Sequence, residues 1–308
     1  MTQVTTERPA SRARPAVPSR PWTRDRVETL VFTVLRWVVI AFFLVATLFP
    51  FYYMVLLSLR TIQRFLLDPA NLSFFGHVSA GGYATVLKPV SKGGQGFLIF
   101  LRNSGIVAIL TVLVTLLVSV PGAYAVSRLK FFGHRQVHAL FLAVYLFPSI
   151  LLAIPLFAFF TRIGLRGSLF ALVIVYISQT VPVSIYMMRN YFETIPRSLE
   201  EAAMVDGGSR LVVIWRISLP LAKPAIMATS LYVFMIAWNE YLFALLFLVE
   251  DRDHWTVPLG LALLSGSVEI PTTVLMAGSV ILTVPILVLF YLTERLLTEG
   301  LTSGAEKG

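Results

Sequence analysis

The chain contains six long, continuously apolar runs, and this feature limits the possible folds more than any other. An α-helix needs about 20 residues to cross the hydrocarbon layer of a bilayer. A segment inside lipid must satisfy its own backbone hydrogen bonds, and runs without polar–apolar alternation do not suit a β-barrel. The sequence therefore predicts an all-α polytopic membrane protein with six transmembrane helices, at 37–57, 106–126, 139–161, 168–188, 225–249 and 274–293.

The composition excludes several other classes of protein. Hydrophobic residues make up 57% of the 308 residues and charged residues only 13%, whereas soluble domains average about 25% charged residues. A soluble enzyme, a disordered regulator and a collagen-like fibre are therefore excluded. The chain has no cysteine, which excludes disulfides, thiolate metal sites and a cysteine nucleophile.

The positions of the basic residues predict the orientation in the membrane. Of the 25 Lys and Arg residues, 17 fall before the first run, after the second and fourth runs, and at the C-terminus, and the other eight fall in the alternate loops. The positive-inside rule then places both termini in the cytoplasm. The net charge of +9 is accounted for by topology and contact with membrane lipid, so no nucleic acid partner is expected.

The predicted spans divide the chain into segments. Residues 1–36 are rich in Pro, Ser and Arg, which predicts a disordered cytoplasmic tail and argues against a cleaved signal peptide. Residues 37–295 form the transmembrane domain, which includes a long cytoplasmic loop at 189–224. Residues 296–308 are a predicted cytoplasmic C-terminal tail. A second long loop, 58–105, lies on the opposite side, and the sequence leaves its structure open.

The long cytoplasmic loop has clear helix start and stop signals. Pro196 precedes a Ser-x-x-Glu pattern, Ser198 to Glu201, which predicts a capping box at a helix start. Gly207 and the following glycine are typical of a helix C-terminus. Ser209 is suited to cap a second short helix. The loop is therefore predicted to be two short helices joined by a glycine elbow.

Several segments of the sequence resemble one family. Glu201-Ala202-Ala203, Asp206-Gly207 and Ile217-x-Leu219-Pro220 resemble the EAA signature of importer permeases of the ATP-binding-cassette (ABC) class. Four further segments resemble the MalG-like carbohydrate subfamily: Asn103-Ser104, 123–128, 237–240 and 300–308. Within that subfamily, the resemblance is nearest to disaccharide permeases of the trehalose and maltose type.

The resemblance implies a function and a set of partners. It implies a MetI-like permease domain in the bacterial inner (plasma) membrane that forms half of a path for a disaccharide or oligosaccharide. The implied partners are a second homologous permease subunit in a heterodimer, two ATP-binding subunits and an extracytoplasmic sugar-binding protein. No Walker A pattern, Gly-x-x-x-x-Gly-Lys-Ser/Thr, occurs in the sequence. This chain is therefore expected to be no enzyme and to bind no cofactor, with ATP and Mg used by the partner ATPase.

The resemblance also implies which residues meet the ATPase. Glu201 has an alternative interpretation as the capping partner of Ser198, and both roles can hold together. The residues expected to couple to the ATPase are Glu201, Ala202, Ala203, Asp206, Gly207, Ile217, Leu219 and Pro220. The residues expected to reach the ATPase from the C-terminus are Gly300, Leu301, Thr302 and Gly304.

A further group of residues is predicted to line the substrate path. Glu240 is the only Asp, Glu, Lys or Arg inside the six predicted spans, and such a residue usually faces the bundle interior or a wet cavity. The alternatives are an interhelical hydrogen bond through Asn239 and, for the aromatic candidates, ordinary packing or the interfacial belt. The candidates are Asn239, Glu240, Tyr241, Tyr145 and Gln179.

Competing functions remain at this point. The substrate could be another solute, such as glycerol phosphate. An ion-coupled secondary transporter would normally show more intramembrane acidic residues and internal repeats, and a membrane-embedded enzyme would need a catalytic constellation. His134 and His138 are spaced like a zinc-binding pair, but Arg135 stands where that pattern needs glutamate, so no metal site is expected.

Overall fold

The described part of the protein is helical and contains no strand, which confirms the predicted all-α class. The computed structural model describes residues 24–305 apart from 70, 75–77, 134–135, 137–139, 141–142, 145–146 and 268, with side chains from 27 to 294. The helices are α1 Arg24–Ser58, α2 Ile62–Leu67, α3 Gly81–Leu87, α4 Phe97–Arg128, α5 Ala153–Arg162, α6 Leu169–Thr194, α7 Arg197–Val205, α8 Arg210–Leu221, α9 Lys223–Asn239, α10 Leu242–Leu248, α11 Val257–Ser265 and α12 Thr272–Ala305.

Four of the described helices are long and apolar enough to cross a membrane. They are α1, α4, α6 and α12, and they match the first, second, fourth and sixth predicted spans. Helices α1, α4 and α12 extend beyond their predicted bounds at both ends and α6 at its C-terminal end, because helical backbone continues past the apolar stretch. The polytopic helical architecture is thus confirmed.

The third and fifth predicted spans look different in the structure. The third, 139–161, falls partly on residues outside the described ones, and its continuously described part from Ser149 onward is a short 3₁₀ turn, Ser149–Leu152, followed by α5. The fifth, 225–249, is divided between α9 and α10, with a break at Glu240. Helix α8 precedes α9 at a bend of 71°, and this bent pair counts as a fifth candidate span. The architecture agrees with six spans.

The break in the fifth predicted span is not caused by proline. Helices α1, α4, α6 and α12 each run through an internal proline, at Pro50, Pro121, Pro182 and Pro285. The helix instead stops at Glu240, whose backbone is extended, with φ −68° and ψ 130°. A polar side chain, and not a missing amide hydrogen, therefore marks the interruption.

The chain divides into two compact units, Met1–Tyr52 and Tyr53–Gly308. In the first unit, α1 begins at Arg24, so the prediction of a disordered tail to residue 36 is wrong for 24–36. The helix-compatible sequence from Arg24 onward has no proline before Pro50, which allows the helix to start early. Side chains 27–52 are exposed, and an apolar surface of this length suits lipid or a partner subunit.

The second unit is built around α4, which packs along α6. Small residues recur every three or four positions on the buried side of α4 and let the two helices approach closely. They are Ser104, Ala108, Thr111, Thr115, Ser119 and Ala123. Thr115 Oγ1 and Thr180 Oγ1 are hydrogen-bonded at 2.9 Å between the two helices. The indole N–H of Trp238 donates to the Leu282 carbonyl at 2.9 Å and joins α9 to α12.

The 58–105 loop, whose structure the sequence left open, is folded against the last helix. Arg60 is buried and donates hydrogen bonds to the carbonyl oxygens of Asn71 and Ser73. Helix α3 packs on α12, and a Cβ added at Gly82 would lie 3.1 Å from the Thr273 carbonyl oxygen. A side chain at this position would push the two helices apart by a few tenths of an ångström, so glycine favours their close approach.

Candidate functional site

The first short helix of the cytoplasmic loop, α7, begins differently from its prediction. Pro196 is the N-cap residue, α7 starts at Arg197, and no side chain caps it. The predicted capping box from Ser198 to Glu201 is therefore wrong, because Ser198 already lies inside the helix and cannot take the N-cap conformation. Glu200 lies in the first turn, where the helix dipole favours a carboxylate.

The glycine elbow after α7 is confirmed and forms a Schellman motif. The Gly207 N–H donates to the Met204 carbonyl at 3.1 Å, and the Gly208 N–H donates to the Ala203 carbonyl at 3.0 Å. Gly207 has φ +88°, a left-handed conformation that is cheap only for glycine. A Cβ at Gly208 would lie 2.7 Å from the Ala203 carbonyl oxygen. Both glycines are thus required by the backbone of the elbow.

The second short helix, α8, begins as the sequence predicts. Ser209 is the N-cap, and its Oγ accepts a hydrogen bond from the Val212 N–H at 3.5 Å. The helix passes through a π-helical turn at Ile214–Ser218, a local widening that is frequent at functional sites. It then meets α9 at the 71° bend.

The predicted coupling residues divide into two sets by exposure. The exposed set is Glu201, Ala202, Asp206, Gly207 and Pro220, and the half-buried set is Ala203, Ile217 and Leu219. Large apolar side chains beside them are also exposed: Val205 to 87%, Leu211 to 70% and Trp215 to 70%. Carboxylates next to exposed apolar groups are typical of a protein–protein contact surface.

The sequence did not point to Glu200, which the structure places at the centre of a buried polar cluster. Glu200 Oε1 accepts hydrogen bonds from Arg128 Nε and Ser218 Oγ, each at 3.0 Å. Glu200 Oε2 accepts from Tyr124 Oη at 3.2 Å. Arg128 Nη2 donates to the Ile195 carbonyl at 2.7 Å. Both charged side chains are almost completely buried.

A local signal for this cluster exists in the sequence. Glu200 and Glu201 are adjacent, and neighbouring residues of a helix point about 100° apart. On a helix that lies against the membrane domain, one of the two can therefore face inward while the other faces outward. The basic residue at the end of the second span, Arg128, is the matching partner.

Glu240 links the helix break to α6. Its Oε1 accepts from the Phe243 N–H at 2.9 Å and its Oε2 from the Ala244 N–H at 3.3 Å, so it satisfies the free amides at the start of α10. Oε2 also accepts from Tyr176 Oη at 2.5 Å, and Tyr176 is fully buried. This carboxylate therefore holds the broken helix in place with charge-assisted hydrogen bonds.

Two of the other path candidates, Asn239 and Tyr241, flank this break in the chain. Asn239 is exposed, and its amide donates to the Met235 carbonyl at 2.9 Å, a hydrogen bond within α9 and not between helices. Tyr241 is exposed. Gln179 is half-buried one turn after Tyr176 on α6. Tyr145 lies outside the described residues.

The C-terminal candidates continue the last helix. The backbone of α12 is helical through Gly300, Leu301, Thr302 and Gly304 and ends at Ala305. The predicted tail 296–308 is thus helical as far as it is described. Among the described residues, no group of three His, Asp or Glu side chains is arranged to hold a metal ion, and both His134 and His138 lie outside those residues.

Asn103 and Ser104 fasten the segment that precedes α11. The Asn103 amide donates to the Asp253 and Trp255 carbonyl oxygens at 2.7 and 3.0 Å. Ser104 Oγ accepts from the Val257 N–H at 2.8 Å and satisfies the first amide of α11. This pair contributed to the family resemblance, and the structure gives it a positioning role.

Sequence comparison with known proteins identifies the family of this chain. The family "Binding-protein-dependent transport system inner membrane component" matches residues 119–298. The Escherichia coli inner membrane ABC transporter permease protein YcjP is 37% identical over 87% of this chain and 94% of its own length. The Thermococcus litoralis trehalose/maltose transport system permease protein MalG is 39% identical over 85% of this chain and 92% of its own length.

A solved structure shares the fold. It is a crystal structure of a bacterial ABC transporter involved in the import of the acidic polysaccharide alginate. The match has a TM-score of 0.75 at 23% identity and covers 90% of this chain and 99% of the matched chain. The chain therefore belongs to the family of inner membrane components of binding-protein-dependent transport systems, and it is a permease subunit of an ABC importer.

Proposed function

We propose that this chain forms half of the translocation path of an ATP-driven sugar importer. Its substrate is a disaccharide or oligosaccharide of the trehalose or maltose type. The chain also transmits the effect of ATP hydrolysis from a separate ATPase subunit to that path. Alternating access then follows from movement of two paired helical bundles driven by the ATPase.

The observation that carries this proposal is the geometry of α7 and α8. Transmitting force between subunits requires a small, stiff element that presents a fixed surface. The elbow at Gly207 is held by two backbone hydrogen bonds, and α8 has its own N-cap at Ser209. Glu201 and Asp206 are exposed beside it. A rigid elbow with exposed carboxylates suits docking into a groove with basic residues on an ATPase.

The sugar specificity rests on similarity and on the chemistry at the helix break. The relative from Thermococcus litoralis is named for trehalose and maltose, and this chain covers nearly all of its length. The amide of Asn239 and the phenol of Tyr241 are exposed next to the break at Glu240. With Gln179, these are groups that suit a ligand rich in hydroxyls.

The assembly we propose has four further chains and a defined orientation. A second homologous permease completes the path, two ATP-binding subunits bind the cytoplasmic face, and an extracytoplasmic protein delivers the sugar. Both termini lie in the cytoplasm, as the 17 basic residues on that side favour. ATP and Mg are bound by the ATPase, since this sequence contains no Walker A pattern.

Uptake in a deletion strain tests the proposal. A strain lacking this chain is complemented with the wild-type protein and given labelled trehalose, maltose, sucrose and glycerol phosphate separately. We expect uptake of trehalose or maltose and an ATPase subunit that co-purifies from detergent. Uptake of glycerol phosphate alone would contradict the sugar assignment. Uptake that collapses with the proton gradient, without a co-purifying ATPase, would indicate a secondary transporter.

A further inference from the structure

The buried pair Arg128–Glu200 lies where the second span ends and the elbow begins. Arg128 is the last residue of α4, and Glu200 is in the first turn of α7. Their side chains are 6% and 8% exposed. Ser218 of α8 and the Ile195 carbonyl, just beyond α6, bind the same pair. Four helical segments therefore meet at one ion pair.

A second contact ties α7 to the same helix end. Arg197 Nη2 donates to the Ser127 carbonyl at 3.2 Å. The hydroxyl of Ser127 is itself bound, since it donates to the Tyr124 carbonyl at 3.0 Å. Helix α7 is thus held on α4 at two points, by Arg128 through Glu200 and by Arg197 through the backbone.

The chemistry of this pair suits orientation better than stability. A well-packed apolar contact of the same volume is often as stabilising as a buried ion pair. Apolar contacts are non-directional and tolerate sliding. The Glu200 carboxylate of α7 receives three hydrogen bonds, two from α4 and one from α8, so only one relative orientation of these three helices satisfies all of them.

We propose that the Arg128–Glu200 pair is the joint that makes α7 and α4 move as one body during transport. This inference deepens the proposed function and rests on it. Movement imposed on the exposed face of α7 by the ATPase passes through the pair into the second span. Arg128 and Glu200 are then positioning residues, and Glu201 is the residue that contacts the ATPase.

The test uses a double variant that removes the joint without leaving a buried charge. Arg128→Met alone would leave the Glu200 carboxylate buried without its partner and could prevent folding. Arg128→Met/Glu200→Met replaces the pair by side chains of similar size. Glu200→Gln is a second variant that keeps the shape, removes the charge and replaces one acceptor oxygen by an amide donor.

The first measurement is a distance, which a role in stability alone would not change. The chain has no native cysteine, so spin labels can be attached after Leu117→Cys and Met204→Cys, both at exposed side chains on α4 and α7. In the assembled complex, we expect the wild-type background to give one narrow distance distribution, unchanged between nucleotide-free and ATP–vanadate states. The double variant should give a broader distribution that shifts between the two states.

The second measurement is the number of trehalose or maltose molecules imported per ATP hydrolysed. We expect the double variant to insert, bind the ATPase and hydrolyse ATP, with this ratio lowered about tenfold, within the range of coupling between sites. A double variant with unchanged distances and an unchanged ratio would contradict the proposal that the pair joins α4 to α7. An increase in the distance between the wild-type labels when ATP binds would also contradict it. Absence of sugar uptake by the wild type would refute the proposed substrate. The label distances would still show whether α4 and α7 move as one body.

Discussion

Tyr176 and Glu240 are 64 positions apart in sequence, and the tyrosine Oη lies 2.5 Å from the glutamate Oε2. This hydrogen bond attaches the break between α9 and α10 to the buried face of α6. The same carboxylate accepts two backbone amides at the start of α10. One side chain therefore interrupts the fifth predicted span, caps the helix that follows and fixes its position against a neighbour.

We expect Glu240→Gln to lower sugar uptake while assembly stays intact. The amide loses the negative charge that the start of α10 and the Tyr176 hydroxyl favour, and hydrogen bonds to charged groups contribute about 1.5–3 kcal/mol. Tyr176→Phe is the matched control, because it removes one hydroxyl and leaves the cap of α10 in place. Its effect on uptake should be smaller. Wild-type uptake by Glu240→Gln would show that the carboxylate serves packing alone.

Substitution at the elbow should uncouple the permease through its backbone. Gly207 has φ +88° and no atom within 4 Å of an added Cβ, so strain and not a clash would be responsible. Gly207→Val should cost about 1–2 kcal/mol locally and abolish sugar-stimulated ATP hydrolysis while the chain still inserts. Gly207→Asn should retain much of the activity, because asparagine tolerates the left-handed conformation. If the two variants were equally active, coupling would not depend on the left-handed conformation at Gly207.

Reversing the charge at Glu201 should also abolish stimulated ATP hydrolysis. Its carboxylate is exposed, so Glu201→Lys should change the stability of the chain by no more than about 0.5 kcal/mol. The effect would then arise at the contact with the ATPase. Ala203→Ser, a small change on the same helix, should be tolerated. The measurement is ATP hydrolysis in proteoliposomes with purified partners, and full stimulation of the lysine variant would remove Glu201 from the contact.

The orientation can be read by labelling single cysteines. Arg210 and Lys92 are both exposed and lie on opposite sides in the predicted topology. In intact cells, an impermeant maleimide should label Lys92→Cys and should leave Arg210→Cys unlabelled until the cells are opened. Labelling of position 210 from outside would invert the orientation.

Truncation tests the C-terminal end of α12. Deleting residues 300–308 should weaken sugar-stimulated ATP hydrolysis, because this end is expected to reach the ATPase dimer. Deleting residues 306–308 alone is the matched control, since it leaves the described helix complete. Normal hydrolysis and transport after the longer deletion would exclude a role for this end.

Several parts of the structure that depend on neighbouring residues follow from the sequence alone. The length of the apolar runs determines that they are helices, because a backbone in lipid must bond to itself. The left-handed turn at Gly207 and the cap at Ser209 are decided within a few residues. These features could be predicted because each depends on hydrogen bonds between residues at most five positions apart.

Other features were decided by contacts between residues distant in sequence. Whether Glu200 or Glu201 is buried depends on Arg128, which lies 72 positions before Glu200. The carboxylate at the Glu240 break is bound by Tyr176 as well as by the first amides of α10. The periodicity of the sequence does not predict such pairs, because a buried carboxylate is stable only where its hydrogen-bond donors are brought around it. Tertiary packing alone places those donors, and it therefore decides which glutamate is internal and which faces outward.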